Sequence, residues 1–123
     1  ASDARVQRDF DIVSNLIDSR DLAEIWVKGG SQFETLDEVD KQRAMFFEYR
    51  AILTWHHVFS LRQKNLYSDE DWRWNEWVIQ NLGRREAVRA AWQVFGGAYE
   101  KPFRDYVEGQ FEIADRAISG PQI

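Results

Sequence analysis

The chain has 123 residues, 44% hydrophobic and 30% charged, a length and balance that fit one domain and exclude both a two-domain layout and a disordered tail. Sixteen Lys and Arg against twenty-one Asp and Glu give a net charge of -5, which argues against a DNA-coating surface. The absence of cysteine excludes a disulfide framework, thiolate metal sites and Cys nucleophiles, and leaves the compartment open.

Six Trp, four Tyr and eight Phe supply large side chains for a core that needs no staples. No run approaches the ~20 apolar residues of a membrane span, so a soluble chain is expected. Pro102, Pro121 and the seven glycines fall mostly between periodic segments, and no strand-like alternation persists. Val6, Phe10, Val13 and Ile17 recur at spacings of four, three and four, predicting an opening helix from about Asp3 to Asp18. Asp21 is an N-cap candidate for a short second helix through Leu22, Ile25 and Trp26 to Lys28, with Gly29-Gly30 as its stop. Thr35 and Glu38 have capping-box spacing, and no breaker follows until Asn65, a residue suited to the left-handed position that closes a helix. One long helix over about 37–64 is therefore predicted. At ~100° per residue, Met45, Phe46, Tyr49, Ile52, Leu53 and His56 share one face of it, and Phe47, Ala51, Val58 and Leu61 another. A helix apolar on two faces is expected at the centre.

Ser68, with Asp71 three residues on, caps the next helix, which runs through Trp72, Trp74, Trp77, Val78, Ile79 and Leu82 to Gly83. A shorter helix over about 85–95 turns Val88, Ala91, Trp92 and Phe95 inward. After Gly96-Gly97, Pro102 suits the first turn of a last helix whose Phe103, Tyr106, Val107, Phe111, Ala114 and Ile118 share a face. Ser119-Gly120-Pro121 ends it. The expected fold is all-α, a single domain over residues 1–123, a compact bundle of about five to six helices around one long central helix.

No motif carries a strong chemical signature. His56 and His57 are the two histidines; as helical neighbours they point ~100° apart and cannot jointly hold one metal ion. The positions one turn away are Ile52, Leu53, Ser60 and Leu61, so neither a metal nor a cofactor is expected. The plainest role for His56 is a core histidine bonded to a neighbouring Tyr or carboxylate, and for His57 a half-exposed partner of the arginines beside it. Arg43, Arg50 and His57 recur every seven residues along one edge of the long helix. Arg50 followed by His56 or His57 resembles the Arg-x(4-6)-His signature of the HEPN ribonuclease superfamily, all-helical domains with Arg and His at a dimer interface. That resemblance implies a metal-independent ribonuclease in which the guanidinium stabilises the phosphorane and an imidazole moves a proton. The residue after the Arg is usually polar in that family and is Ala51 here.

The helix after Ser68 conflicts with a simple amphipathic pattern. Its apolar residues sweep an arc of roughly 220°, about twice the ~100° stripe of a helix packed on one side. Only Arg73, Glu76 and Gln80 define a wet edge. Either the helix is wedged between two layers of its own domain, or Trp74 or Trp77 belongs to a surface that meets something else.

Asp21-Leu22-Ala23-Glu24-Ile25-Trp26 with a following Gly, Arg43-x-x-Phe46, Trp55, Tyr67-Ser68 with Trp72 and Trp77, Trp92, Pro102-Phe103 and Tyr106-Val107 follow one another in an order that resembles a family of uncharacterised bacterial all-helical domains. Those are commonly found behind an N-terminal membrane-spanning helix. The resemblance spans most of the chain, and it implies the fold more than a function. The family typically has Gly where this chain has Asn65, and Glu-Asn where it has His56-His57. Ala1 at the start leaves both methionine removal and truncation behind an anchor open, hence either a cytoplasmic location or a membrane face.

The first expectation for function is a non-enzymatic helical interaction module that uses Trp74 and Trp77 to bind a protein partner or itself. The second is a HEPN-like ribonuclease with Arg50 and His56 or His57 as catalytic groups. A third is a small-molecule binder walled by Trp55, Trp72 and Trp92 and oriented by His56.

Overall fold

Local signals and long-range pairing set the helix boundaries in turn. The computed structural model describes residues 20–119 together with Gln7 and Asp11. The described residues form five α-helices: α1 (Arg20–Ser31), α2 (Glu38–Gln63), α3 (Asp69–Leu82), α4 (Glu86–Phe95) and α5 (Lys101–Ser119). Short 3-10 turns at Phe33–Thr35 and Gly96–Ala98 join them, and no strand occurs among the described residues. The helix expected over residues 3–18 lies outside the described residues apart from Gln7 and Asp11, which are helical, exposed and joined by a 2.8 Å hydrogen bond.

The long helix closes at Asn65, whose φ of 59° is the left-handed conformation expected of it. Around it the Leu66 N–H donates to the Leu61 carbonyl at 2.9 Å and the Asn65 N–H to the Arg62 carbonyl at 3.0 Å, the two bonds of a Schellman motif. The other end departs from expectation. Asp37 rather than Thr35 is the N-cap, its carboxylate accepting from the Asp40 N–H, while the Thr35 hydroxyl donates back to the Gln32 carbonyl inside the 3-10 turn. Gly29 and Gly30 do not stop α1; the helix runs through both to Ser31. They serve close approach instead. A Cβ at Gly29 would lie 3.3 Å from the Ala87 Cβ, and one at Gly30 would meet the Arg85 guanidinium.

α2 packs against α1, α3 and α4, and α5 closes the bundle against α3. The buried face of α2 is a single wide arc of Ala44, Met45, Phe47, Glu48, Ile52, Trp55, Val58 and Phe59, not two separate faces. The expected split is corrected at Phe46 and Leu53, both exposed, and the arc passes through Glu48, a carboxylate. Aromatic rings fill the space between the helices. Trp55 and Trp92 meet Phe111 edge-on, and Phe103 packs against Phe59, Trp92 and Tyr99. Phe103, Val107, Phe111 and Ala114 form the inner stripe of α5, as the periodicity predicts.

Glu48 is tolerated there because Arg85, from the turn before α4, reaches it. The Arg85 Nε donates to Glu48 Oε1 at 3.1 Å, its Nη2 to the Trp26 carbonyl, and its guanidinium lies 3.8 Å from the centre of the Trp26 ring. Burial pushes the Glu48 carboxyl above the ordinary glutamate value, and the Arg85 charge and hydrogen bond pull it back. Arg85→Ala is expected to cost about 3–5 kcal/mol at neutral pH, by leaving an unpaired buried carboxylate. With only burial acting on it, that carboxyl has a folded-state pKa still further above the unfolded one. The stability it contributes is then present at low pH and lost as pH rises through the raised value. Thermal melts should therefore show the gap between Arg85→Ala and the parent chain narrowing as pH falls from about 7 to about 5. A gap that stays constant or widens would contradict this account of Glu48.

Candidate interaction surface on the third helix

The rotation of α3 about its axis decides what the domain shows to solvent. Ser68 caps it as expected, its hydroxyl accepting from the Asp71 N–H at 3.1 Å. At the far end Gly83 sits against Phe111, where a Cβ would come within 2.6 Å of the ring. Between these fixed ends Asn75 and Ile79 are buried and Trp72 and Leu82 pack against the core. Trp72 lies 5.1 Å from the Tyr106 ring and 5.5 Å from the Arg62 guanidinium.

Of the expected wet edge, Arg73 stays exposed, while Glu76 and Gln80 turn inward. Glu76 accepts hydrogen bonds from the Tyr106 hydroxyl at 3.0 Å and from the Gln110 side-chain amide at 3.4 Å, and Gln80 donates to Gln110 Oε1 at 2.8 Å. Gln110 is itself buried. Burial, followed by the Glu76 charge and hydrogen bond, pushes the Tyr106 phenol upward and keeps it a donor at all ordinary pH. The tryptophans turn outward. Trp74 is 54% exposed and Trp77 55%, so α3 is not wedged between two layers. Their rings stack on each other, 5.1 Å between centroids and 17° from parallel, with Glu70, Arg73 and Asn81 around them. This helix therefore holds a carboxylate and two amides against its own domain and two indoles in water.

The other predicted residues lie apart from this surface. His56 faces α5, its Nε2 2.9 Å from Glu100 Oε1 and its ring against Tyr99 and Phe103. A backbone N–H and then the bond to His56 hold the Glu100 carboxyl below its ordinary value. Arg50 is exposed, its guanidinium 5.7 Å from the Phe47 ring. Six residues of helix separate Arg50 from His56 by about 120° around the axis, so the structure does not bring the two together. His57 is exposed in the same column as Arg50, about 10 Å further along the helix. Trp55 and Trp92 are buried and Trp72 half-buried, and Phe59, Phe103, Tyr106 and Phe111 occupy the space beside them. Their rings pack against one another.

A second apolar surface lies between α1 and α2, a groove of about 610 Å³ lined by Leu22, Val39, Phe46 and Phe47, with Arg43 and Arg50 on its wall. The exposed Phe46 belongs to it. Periodicity offered no sign of this groove, because it placed Phe46 on a packing face. Among the described residues no group of three or more His, Asp or Glu is placed to hold a metal ion, and no helix is long and apolar enough to cross a membrane.

Comparison of the chain with protein-family models, with curated proteins and with solved structures finds no match. The surface chemistry therefore carries the functional argument.

The orientation of α3 reverses the usual ranking of core and surface substitutions. The double change Trp74→Ala, Trp77→Ala should keep the fold and shift stability by no more than about 1 kcal/mol. Glu76→Ala, which strands the Tyr106 hydroxyl and the Gln110 amide, should cost about 1–3 kcal/mol. Urea melts of the three proteins decide it, and collapse of the double tryptophan variant would show that the indoles are buried after all.

Proposed function

We propose that the domain is a non-enzymatic interaction module that binds a protein partner, or another copy of itself, through the outer face of α3 around Trp74 and Trp77. The observation that carries this reading is the inverted helix: polar Glu76 and Gln80 face the domain while a stacked indole pair faces water. Covering the two half-exposed indoles would be worth roughly 5 kcal/mol before the costs of association are met. A surface of exposed tryptophans with a polar rim has the composition of a binding hot spot. A tether like that of the domains it resembles would hold this face at a membrane and raise the effective concentration of a weak partner.

The test places a photo-crosslinking amino acid at the exposed Arg73 and irradiates the domain in lysate of the source cell. The expected result is a cross-link to a defined polypeptide, mapped by mass spectrometry to one site on it and lost in a folded Trp74→Asp, Trp77→Asp variant. RNA cleavage that disappears with Arg50→Ala, in the absence of such a cross-link, would overturn the reading in favour of a ribonuclease.

A further inference from the structure

We infer that the partner of this face is a second copy of the same chain, docked antiparallel along α3 about a two-fold axis that passes between Trp74 and Trp77. The inference rests on the interaction reading above and goes beyond it by naming the occupant and its register.

Glu70, Trp74, Trp77 and Asn81 are spaced four, three and four residues apart, so they lie in one row along the outer face of α3, the spacing of a helix-to-helix seam. Along that row the chemistry runs acid, indole, indole, amide, and the exposed Arg84 follows in the turn beyond the helix. The row matches its own reverse. A two-fold axis midway between the tryptophans sets Trp74 against Trp77 of the second copy and Glu70 against Asn81 of the second copy. Arg84 of the second copy then comes one turn further on, about 4.5 Å along the axis and within the reach of its side chain to Glu70.

The amide of Asn81 already donates to the Trp77 carbonyl at 2.8 Å. It keeps a second N–H for the carboxylate of Glu70. A parallel arrangement would set acid on acid and arginine on arginine, and would align the two helix dipoles unfavourably. The antiparallel one sets the acidic first turn, Asp69 to Asp71, beside the end that carries Arg84. An interface of this kind is isologous and closes at two copies, so it gives a dimer and no filament. A 14-residue helix is about 21 Å long, and its one face is smaller than the ~800 Å² per partner of standard stable complexes. The dimer should therefore dissociate in the micromolar range.

Sedimentation analysis from about 1 to 300 μM, at low ionic strength and on proteins with parent-like melts, tests this. The parent chain should pass from monomer to dimer, and Trp74→Asp with Trp77→Asp should remain monomeric. Glu70→Arg and Arg84→Glu should each weaken the dimer by about tenfold, because each puts like charges together at both ends of the seam. Combining the two should restore it, since reversing both ends re-creates the opposite-charge pairs of an antiparallel seam. A parent chain that stays monomeric throughout, or a dimer indifferent to these four positions, would overturn the inference. If the parent is monomeric yet the cross-link at Arg73 captures a different polypeptide, the interaction reading stands and only the self-pairing falls. If neither is seen, both fall.

Discussion

The Arg85 guanidinium joins three helices at one corner of the domain. It holds Glu48 of α2, bonds the carbonyl of Trp26 in α1 and stacks on the Trp26 ring, all from the turn that begins α4. The neighbouring Glu86 accepts the Phe33 N–H at 2.9 Å, which binds the 3-10 turn after α1 to the same corner. Side-chain exposures of 15% for Arg85 and 5% for Glu48 keep this pair largely out of water, where a carboxylate without its partner would be costly. α1 can approach so closely because Gly29 and Gly30 present no side chain to α4 and Arg85. One charge pair thus sets where three helices meet.

Two further arginines repeat the device at other junctions. Arg89 donates to the carbonyls of Gly83 and Phe111, bonds Asp115 at 2.8 Å and lies 4.3 Å from the Phe111 ring centre. Arg62 bonds the Tyr67 carbonyl and Asp69 and stands over Trp72. Each places a delocalised cation on an aromatic face while one of its N–H groups reaches a carbonyl at a helix end or a turn, Gly83 for Arg89 and Tyr67 for Arg62. Both ends of α3 are held in this way, by Arg62 at the start and by Arg89 at the Gly83 end. Its rotation follows from those anchors and from the bonds of Glu76 and Gln80 to α5, and not from its count of apolar residues. The exposure of Trp74 and Trp77 is a consequence of that rotation.

This arrangement separates the contacts that hold α3 from the face it shows to water. The polar contacts between α3 and α5 are made by Glu76, Gln80, Tyr106 and Gln110 and involve neither of the two exposed indoles. Of the tryptophans of α3, Trp72 packs against the core, whereas Trp74 and Trp77 stay outside it. The His56 and Glu100 bond lies elsewhere, against Tyr99 and Phe103, and ties α2 to the start of α5. The Arg50 edge is separate again, beside the groove between α1 and α2.

Local chemistry was enough to read the all-helical class, the long central helix, its left-handed close at Asn65, the Ser68 cap and the inner stripe of α5. Each of these depends on residues within a few positions of one another. The excess apolar arc of α3 was also legible, and with it the alternative of a wedge or a surface. Which alternative holds was not legible, because it depends on Tyr106 and Gln110, some thirty residues away, which satisfy Glu76 and Gln80. Sequence separation also hid the buried Glu48, whose partner Arg85 lies 37 residues on. It also hid the role of Gly29, which looks like a helix stop until Ala87 packs against it. Periodicity and capping are properties of a short stretch of chain, whereas the free energy of a buried charge or of a glycine contact belongs to a pair that only the folded bundle creates.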